Sequence, residues 1–109
     1  MGEMTLREMC NVVGVSRRAV QGYESAGLVS AIGKNERGYL LYDKNAQEKI
    51  QKIKLFQEMG FSIKEIKELI DAPNAALKEA LELRICKMQS ECERTKDMIV
   101  VAREMMDRL

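Results

Sequence analysis

The chain has 109 residues, 46% of them apolar and 32% charged, and its 18 basic and 17 acidic side chains leave a net charge of only +1. This composition fits a small folded protein with a modest core, and it lacks the strong positive charge that would by itself indicate nucleic-acid binding. No apolar run approaches the roughly 20 residues of a membrane span, and the first residues form no apolar signal segment. We therefore expect a cytoplasmic protein with no membrane partner.

Residue types that carry catalysis and metal binding are scarce in this sequence. It contains no histidine, which removes the commonest general base and the commonest metal ligand. It also contains neither a glycine-rich phosphate loop nor a nucleophile motif, and its three cysteines are too few for a disulfide framework. We predict that the protein is not an enzyme and carries no cofactor.

Two short helices joined by a tight turn are predicted near the start of the chain. Thr5 and Glu8 have the spacing of a capping box that begins the first helix. Ser16 is the expected N-cap of the second helix, which carries Arg17 and Arg18 in its first turn. This order is typical of a helix-turn-helix, whose second helix enters the major groove of DNA. The same two arginines would also suit a merely solvated helix end.

Residues 28–42 predict a short β-hairpin. Two apolar stretches flank a polar turn rich in Gly, Lys and Asn. A hairpin that follows a helix-turn-helix is a wing, and we expect Lys34 and Arg37 at its tip to contact backbone phosphates. Asp43 and Ser62 then cap two further helices. We take residues 1–71 as one winged helix-turn-helix DNA-binding domain.

Residues 72–109 are predicted to form a dimerisation coiled-coil helix. From about Ala76 to Leu109 there is no glycine or proline, and apolar positions alternate in steps of four and three. Such a stripe is too long for a 70-residue domain to cover, so we expect a second copy of the chain to cover it, although a helix packed lengthwise on its own domain is the alternative. The expected interface residues are Leu81, Ile85, Met88, Cys92, Thr95, Ile99, Ala102, Met106 and Leu109.

The predicted fold class is therefore mostly α: a winged helix-turn-helix domain with a short β-hairpin wing, followed by a long coiled-coil dimerisation helix. In this order, the segments at residues 4–20, 23–29, 37–42 and 56–70 resemble the MerR family of bacterial transcription regulators. The resemblance implies a second, helical wing and an antiparallel coiled coil between two protomers. It also implies binding to a pseudo-palindromic promoter with an overlong spacer, which is bent and untwisted so that RNA polymerase can use it.

The resemblance also assigns DNA contacts by position. It places Ser16, Arg17, Arg18 and Tyr23 in the recognition helix, and Arg37, Tyr39 and Tyr42 in or near the wing. Two departures from the family pattern bear on which operator sequence the protein binds and how tightly it binds. Gln21 and Gly22 stand where the family commonly has an arginine and an aromatic residue, and Leu40 stands where its wing commonly has an arginine.

Cys86 and Cys92 do not predict a metal site. Six residues apart on a helix, they are rotated by about 120° from each other, so one helix cannot direct both at one ion. Cys92 falls on the apolar stripe and is expected to act as a small apolar residue. Cys86 falls off it, where a solvated thiol is the simplest interpretation; a reactive thiol, or thiolates shared across the dimer, are the alternatives.

Two other functions remain open from the residues alone. An architectural or excision-type DNA-binding factor would use the same winged domain without activating a promoter. A coiled-coil protein-interaction adaptor would use it to bind protein, and the near-neutral charge favours this option. Binding to duplex DNA that weakens steeply with salt would separate the DNA-binding hypotheses from the adaptor.

Overall fold

Five helices and three strands follow one another along residues 2–109, the part of the chain that the computed structural model describes. The chain divides into two compact units, Met1–Asp71 and Ala72–Leu109. The elements are β1 (Met4–Thr5), α1 (Leu6–Val13), α2 (Arg17–Ser25), β2 (Gly33–Lys34), β3 (Leu40–Tyr42), α3 (Lys44–Glu58), α4 (Ile63–Leu69) and α5 (Asn74–Asp107).

The helix-turn-helix consists of α1 and α2. The Thr5 hydroxyl accepts a hydrogen bond from the Glu8 amide, and the Glu8 carboxylate accepts one from the Thr5 amide at 3.1 Å, so the predicted capping box is present. The Ser16 hydroxyl accepts from the Ala19 amide at 3.0 Å and begins α2. Between the helices, Gly14 adopts a left-handed conformation with φ of 79°. The mostly helical fold with this motif agrees with the sequence prediction.

A three-stranded antiparallel sheet in the order β1-β3-β2 contains the wing. The predicted hairpin is β2 and β3, with Lys34 opposite Leu40. Strand β1, which pairs Met4 with Tyr42, was not predicted, because two residues are too few to show an alternating pattern. Lys34 was predicted at the tip of the hairpin, whereas it lies in strand β2 and the turn is formed by residues 35–39.

The core of the first unit lies where α1, α2, β3, α3 and α4 pack together. Its fully buried side chains come from all five of these elements: Met9, Val20, Tyr42, Ile50, Ile53 and Ile66. The rings of Phe56 and Phe61 meet edge to face with their centroids 5.8 Å apart, which joins the end of α3 to the start of α4. The core therefore holds α2 on a rigid base.

The second unit is the helix α5, which has 34 residues and spans about 50 Å. It begins at Asn74, two residues before the predicted start, because Pro73 is tolerated at a helix start, where no N–H is needed. No residue of α5 is buried, and every side chain from residue 89 to 109 is exposed. None of the helices described is both long and apolar enough to cross a membrane.

Candidate nucleic-acid interface

An open groove of about 600 Å³ runs between the start of α1, the start of α2 and the β2–β3 hairpin. Three of the residues along it are arginines and none carries a carboxylate. The lining residues are Thr5, Leu6, Arg7, Arg17, Asn35, Arg37, Gly38, Tyr39 and Leu40. Although the net charge of the chain is only +1, the lining of this groove is positively charged.

The hairpin turn is held in shape by the Asn35 side chain. Its amide oxygen accepts hydrogen bonds from the backbone amides of Arg37 and Tyr39, each at 3.0 Å, and Gly38 takes the left-handed conformation that closes the turn. These bonds fix the backbone beside the Arg37 guanidinium. Arg37 and Tyr39 are both exposed, with 58% of Tyr39 open to solvent. The turn therefore presents a cation and a phenol on a rigid support.

Three of the recognition-helix candidates lie together at the start of α2. Ser16 is the N-cap, and Arg17 and Arg18 follow it with exposed side chains. Arg17 lines the groove and Arg18 does not. Lys34 is also exposed but lies outside the groove lining. Six of the eight candidates thus have side chains that a ligand can reach: Ser16, Arg17, Arg18, Lys34, Arg37 and Tyr39.

Tyr23 and Tyr42, the other two predicted DNA contacts, are buried and do not lie on this surface. Tyr23 is 3% exposed and donates its hydroxyl hydrogen to Gln57 Oε1 at 2.6 Å. Tyr42 is fully buried and donates to a carboxylate oxygen of Glu24. Burial raises the pKa of Tyr23, and burial together with the bond to Glu24 raises that of Tyr42. Both tyrosines instead support α2 from beneath.

Arg7 is the groove residue that the sequence analysis missed. It lies in the first turn of α1 with an exposed side chain, across the groove from the hairpin. A cation near a helix N-terminus opposes the helix dipole, and that local conflict was a usable signal. The two adjacent arginines at the start of the second helix are the stronger local signal.

The predicted interface stripe on α5 is accessible along its length. Its nine residues are exposed or partly exposed, with 48% of Ile85, 47% of Ile99 and 70% of Met106 open to solvent. Cys86 and Cys92 are both exposed free thiols. Leu83, Met98, Val101 and Met105 add further exposed apolar surface. The helix therefore offers a long apolar face to a partner.

Two of the curated proteins to which this chain is similar are regulatory proteins of bacteria. The chain is 32% identical over 94 residues to the HTH-type transcriptional activator mta of Bacillus subtilis, covering 86% of this chain and 37% of that protein. It is 27% identical to the mercuric resistance operon regulatory protein of Bacillus cereus, covering 92% of this chain and 78% of that protein. The chain thus spans little more than a third of the first relative and most of the second.

Solved structures share the fold over nearly the whole chain. A MerR family regulator from Bacillus cereus gives a TM-score of 0.83 at 25% identity, covering 97% of this chain and 81% of that one. MtaN, the N-terminus of the Bacillus subtilis multidrug transporter activator, gives 0.73 at 29% identity, covering 94% and 97%. HiNmlR, a MerR family regulator lacking the sensor domain and bound to promoter DNA, gives 0.69 at 19% identity, covering 89% and 84%.

The match to a family model decides the assignment. The model described as MerR HTH family regulatory protein matches residues 4–73, which includes α1, α2, the wing, α3 and α4. The order of elements and the groove between α1, α2 and the hairpin are consistent with this match. The chain belongs to the MerR family of helix-turn-helix regulatory proteins.

Proposed function

We propose that this chain is a regulator of transcription initiation that binds double-stranded promoter DNA as a homodimer. The observation that carries the proposal is the groove beside the recognition helix, which has three arginines and no carboxylate. Such a surface attracts the phosphate backbone even though the protein as a whole is nearly neutral. The promoter DNA bound by HiNmlR, which has the same fold, supports this choice of ligand.

The residues divide into two kinds of contact. Arg17 and Arg18 start α2, whose N-terminal residues reach base edges when a recognition helix enters the major groove. The Ser16 hydroxyl, already the helix cap, lies at the same end. In the wing, Lys34, Arg37 and Tyr39 are exposed donors, and they position the protein on the backbone without reading sequence.

The dimer is proposed from the apolar stripe on α5. Ile85, Ile99 and Met106 lie on one side of a helix that has no buried residue, and a second copy would cover them at the least cost in new surface. Two recognition helices at a fixed separation would then require two half-sites. This supports a pseudo-palindromic operator, with RNA polymerase acting at the same promoter.

Distortion of the DNA is the further part of the proposal, and it rests on the resemblance to MerR regulators. Bending a site of 20–30 base pairs by 40–90° costs of order 1–6 kcal/mol. Phosphate contacts in both half-sites, from the groove arginines and the wing, would offset that cost. A dimer that binds both half-sites can hold the DNA between them in a bent form, whereas a single domain cannot.

Selection from a pool of randomised duplexes tests the proposal with the full chain as probe. We expect enrichment of a palindromic sequence, bound with an affinity that falls steeply as salt rises. Transcription in vitro from a promoter with this sequence in its spacer should respond to the protein. No binding at low salt would overturn the DNA-binding proposal in favour of an adaptor. Binding without any effect on transcription would instead indicate an architectural factor.

Arg18→Ala tests the recognition helix. The exposed Arg18 side chain forms no ion pair within the described residues, so its loss should leave the fold and the dimer intact. If it contacts a base edge, affinity for the selected duplex falls by about 1–3 kcal/mol, measured by gel shift. Lys52→Ala, which removes an exposed cation of α3, is the control. Equal affinities for the two variants would refute the assigned role of Arg18.

A further inference from the structure

We propose that Arg7 of α1 binds a phosphate of the DNA backbone, together with Arg17 and Arg37 across the groove. The inference deepens the proposed function and rests on it. All three arginines line the same groove. Arginine suits this ligand because its planar fork of donors matches the oxygens of a phosphate.

The position of Arg7 is electrostatically unfavourable in the free protein. It is the second residue of α1, and Arg17 is the first residue of α2. Both lie at a helix N-terminus, where the positive end of the dipole disfavours a cation, although at α1 the capping Glu8 carboxylate offsets part of this effect. In the part of the chain that the structure describes, Arg7 forms no ion pair or hydrogen bond that would compensate. A residue that breaks a local rule without gain to the fold points to a functional role.

Three arginines from three separate segments therefore line one groove. The capping residue Thr5 and the first-turn residue Leu6 also line it, so the start of α1 itself forms one wall. The opposite wall is the hairpin turn, whose backbone is held by Asn35. An anion in the groove would be attracted by all three arginines. This makes the groove a site for negative charge and not a surface for protein packing.

The ligand is a backbone phosphate and not a base because of where α1 lies in the motif. When the second helix of a helix-turn-helix enters the major groove, the first helix crosses the DNA backbone. Arg7 is on that first helix, and its neighbour across the groove is the wing, which also meets the backbone. Arg7 should therefore contribute to affinity equally for all sequences.

The salt dependence of binding to the selected duplex tests the inference. Each phosphate contact contributes about −0.9 to the slope of log affinity against log salt. Arg7→Gln should thus make the slope shallower by about 0.9 for each bound protomer, and it should weaken a random-sequence duplex as well. Arg7→Lys, which keeps the charge, should retain most of the slope. Lys52→Gln, which removes an exposed cation outside the groove, should leave it unchanged.

A measurement of thermal unfolding separates binding from folding. Arg7→Gln should unfold at the same temperature as the natural protein or slightly higher, because it removes a cation from the positive end of α1. An unchanged salt slope, or a loss no larger than that of Lys52→Gln, would overturn the role of Arg7. So would a fall in unfolding temperature that accompanies the loss of binding. If the natural protein itself shows no salt-dependent binding, the proposed function fails, and that result is distinct from a failure of Arg7 alone.

Discussion

Two buried tyrosine hydroxyls connect the recognition helix to the rest of the first unit. Tyr23 points from α2 to Gln57 on α3, and Tyr42 points from β3 to Glu24 on α2. Each bond satisfies a polar group that would otherwise be buried without a partner, which costs about 1–3 kcal/mol. Their role is to fix the position of α2, and the exposed arginines at its start depend on that position.

Tyr42→Phe should lower the free energy of unfolding by about 1–3 kcal/mol at pH 7, because Glu24 loses its donor while the ring remains packed. The difference in the free energy of unfolding between the natural protein and Tyr42→Phe should narrow above pH 10. Burial raises the pKa of folded Tyr42 above the ordinary value of 10.0, so the unfolded chain releases this proton first as the pH rises. Above pH 10 the natural protein therefore loses stability through ionisation of this tyrosine in the unfolded chain, which cannot occur in the Phe variant.

Urea unfolding of both proteins from pH 7 to pH 11 would measure this narrowing. Tyr39→Phe is the matched control, since Tyr39 is 58% exposed, and its stability should stay within about 0.5 kcal/mol of the natural protein. A constant difference between Tyr42→Phe and the natural protein across this range would contradict the linkage. A Tyr42→Phe variant as stable as the natural protein at pH 7 would contradict the role of the hydroxyl.

At the scale of elements, the turn between α1 and α2 sets the angle at which the second helix leaves the first. Gly14 supplies the left-handed residue, with φ of 79°. The Lys54 ammonium of α3 donates to the Val13 carbonyl at 3.1 Å, so one orphan carbonyl at the end of α1 is satisfied from a different element. The turn is thus held both by its own backbone and by α3.

Gly14→Ala should destabilise the protein by roughly 1–2 kcal/mol, because a left-handed conformation is strained for any residue with a Cβ. The new Cβ would also lie 3.2 Å from Lys54 Nζ. Gly22→Ala is the matched comparison: Gly22 lies inside α2 with no atom within 4 Å of the added carbon, and alanine there should stabilise by roughly 0.5–1 kcal/mol. Urea unfolding of both variants measures the contrast, and equal shifts would refute this account of the turn.

At the scale of the whole molecule, the exposed apolar face of α5 is the feature that the proposed dimer would cover. A 34-residue helix with no buried residue has little tertiary packing of its own, and most helical stability in proteins comes from such packing. A second copy of the chain supplies it in the proposed dimer. Two copies of the arginine groove would then act on one DNA molecule, which is why assembly and DNA binding are expected to be coupled.

Ile99→Lys should convert the dimer to a monomer, because it places a charge in the middle of the proposed interface stripe. Val100→Lys is the matched control, since Val100 is adjacent and similarly exposed, at 54% against 47% for Ile99, but lies off the stripe. Sedimentation equilibrium measures the mass of each variant. A dimer that survives Ile99→Lys, or an equal loss with Val100→Lys, would count against the proposed interface. The monomer should also lose about half of the salt slope for the selected duplex.

The sequence predicted most of the fold because its signals are local. The spacing of Thr5 and Glu8, and of Ser62 and Glu65, gave two helix starts that the structure contains, since a capping box involves only residues three apart. The absence of glycine and proline from α5 gave its length to within two residues at its start. Strand β1 was missed because its pairing with Tyr42 is a long-range contact that leaves no local pattern.

The candidate site was only partly predictable, for the same physical reason. Arg17, Arg18 and Arg37 were found from helix caps and turn residues, which any reader of the chain can locate. Tyr23 and Tyr42 fit the family pattern by position, yet packing of the core decides which way a side chain faces, and it turns both inward. Arg7 joins the arginines of α2 and the hairpin only because the folded chain brings three separate segments to one groove. The helices, their ends and the apolar stripe of α5 are thus determined by residues close together in the sequence. Which residues line the groove is determined by tertiary packing.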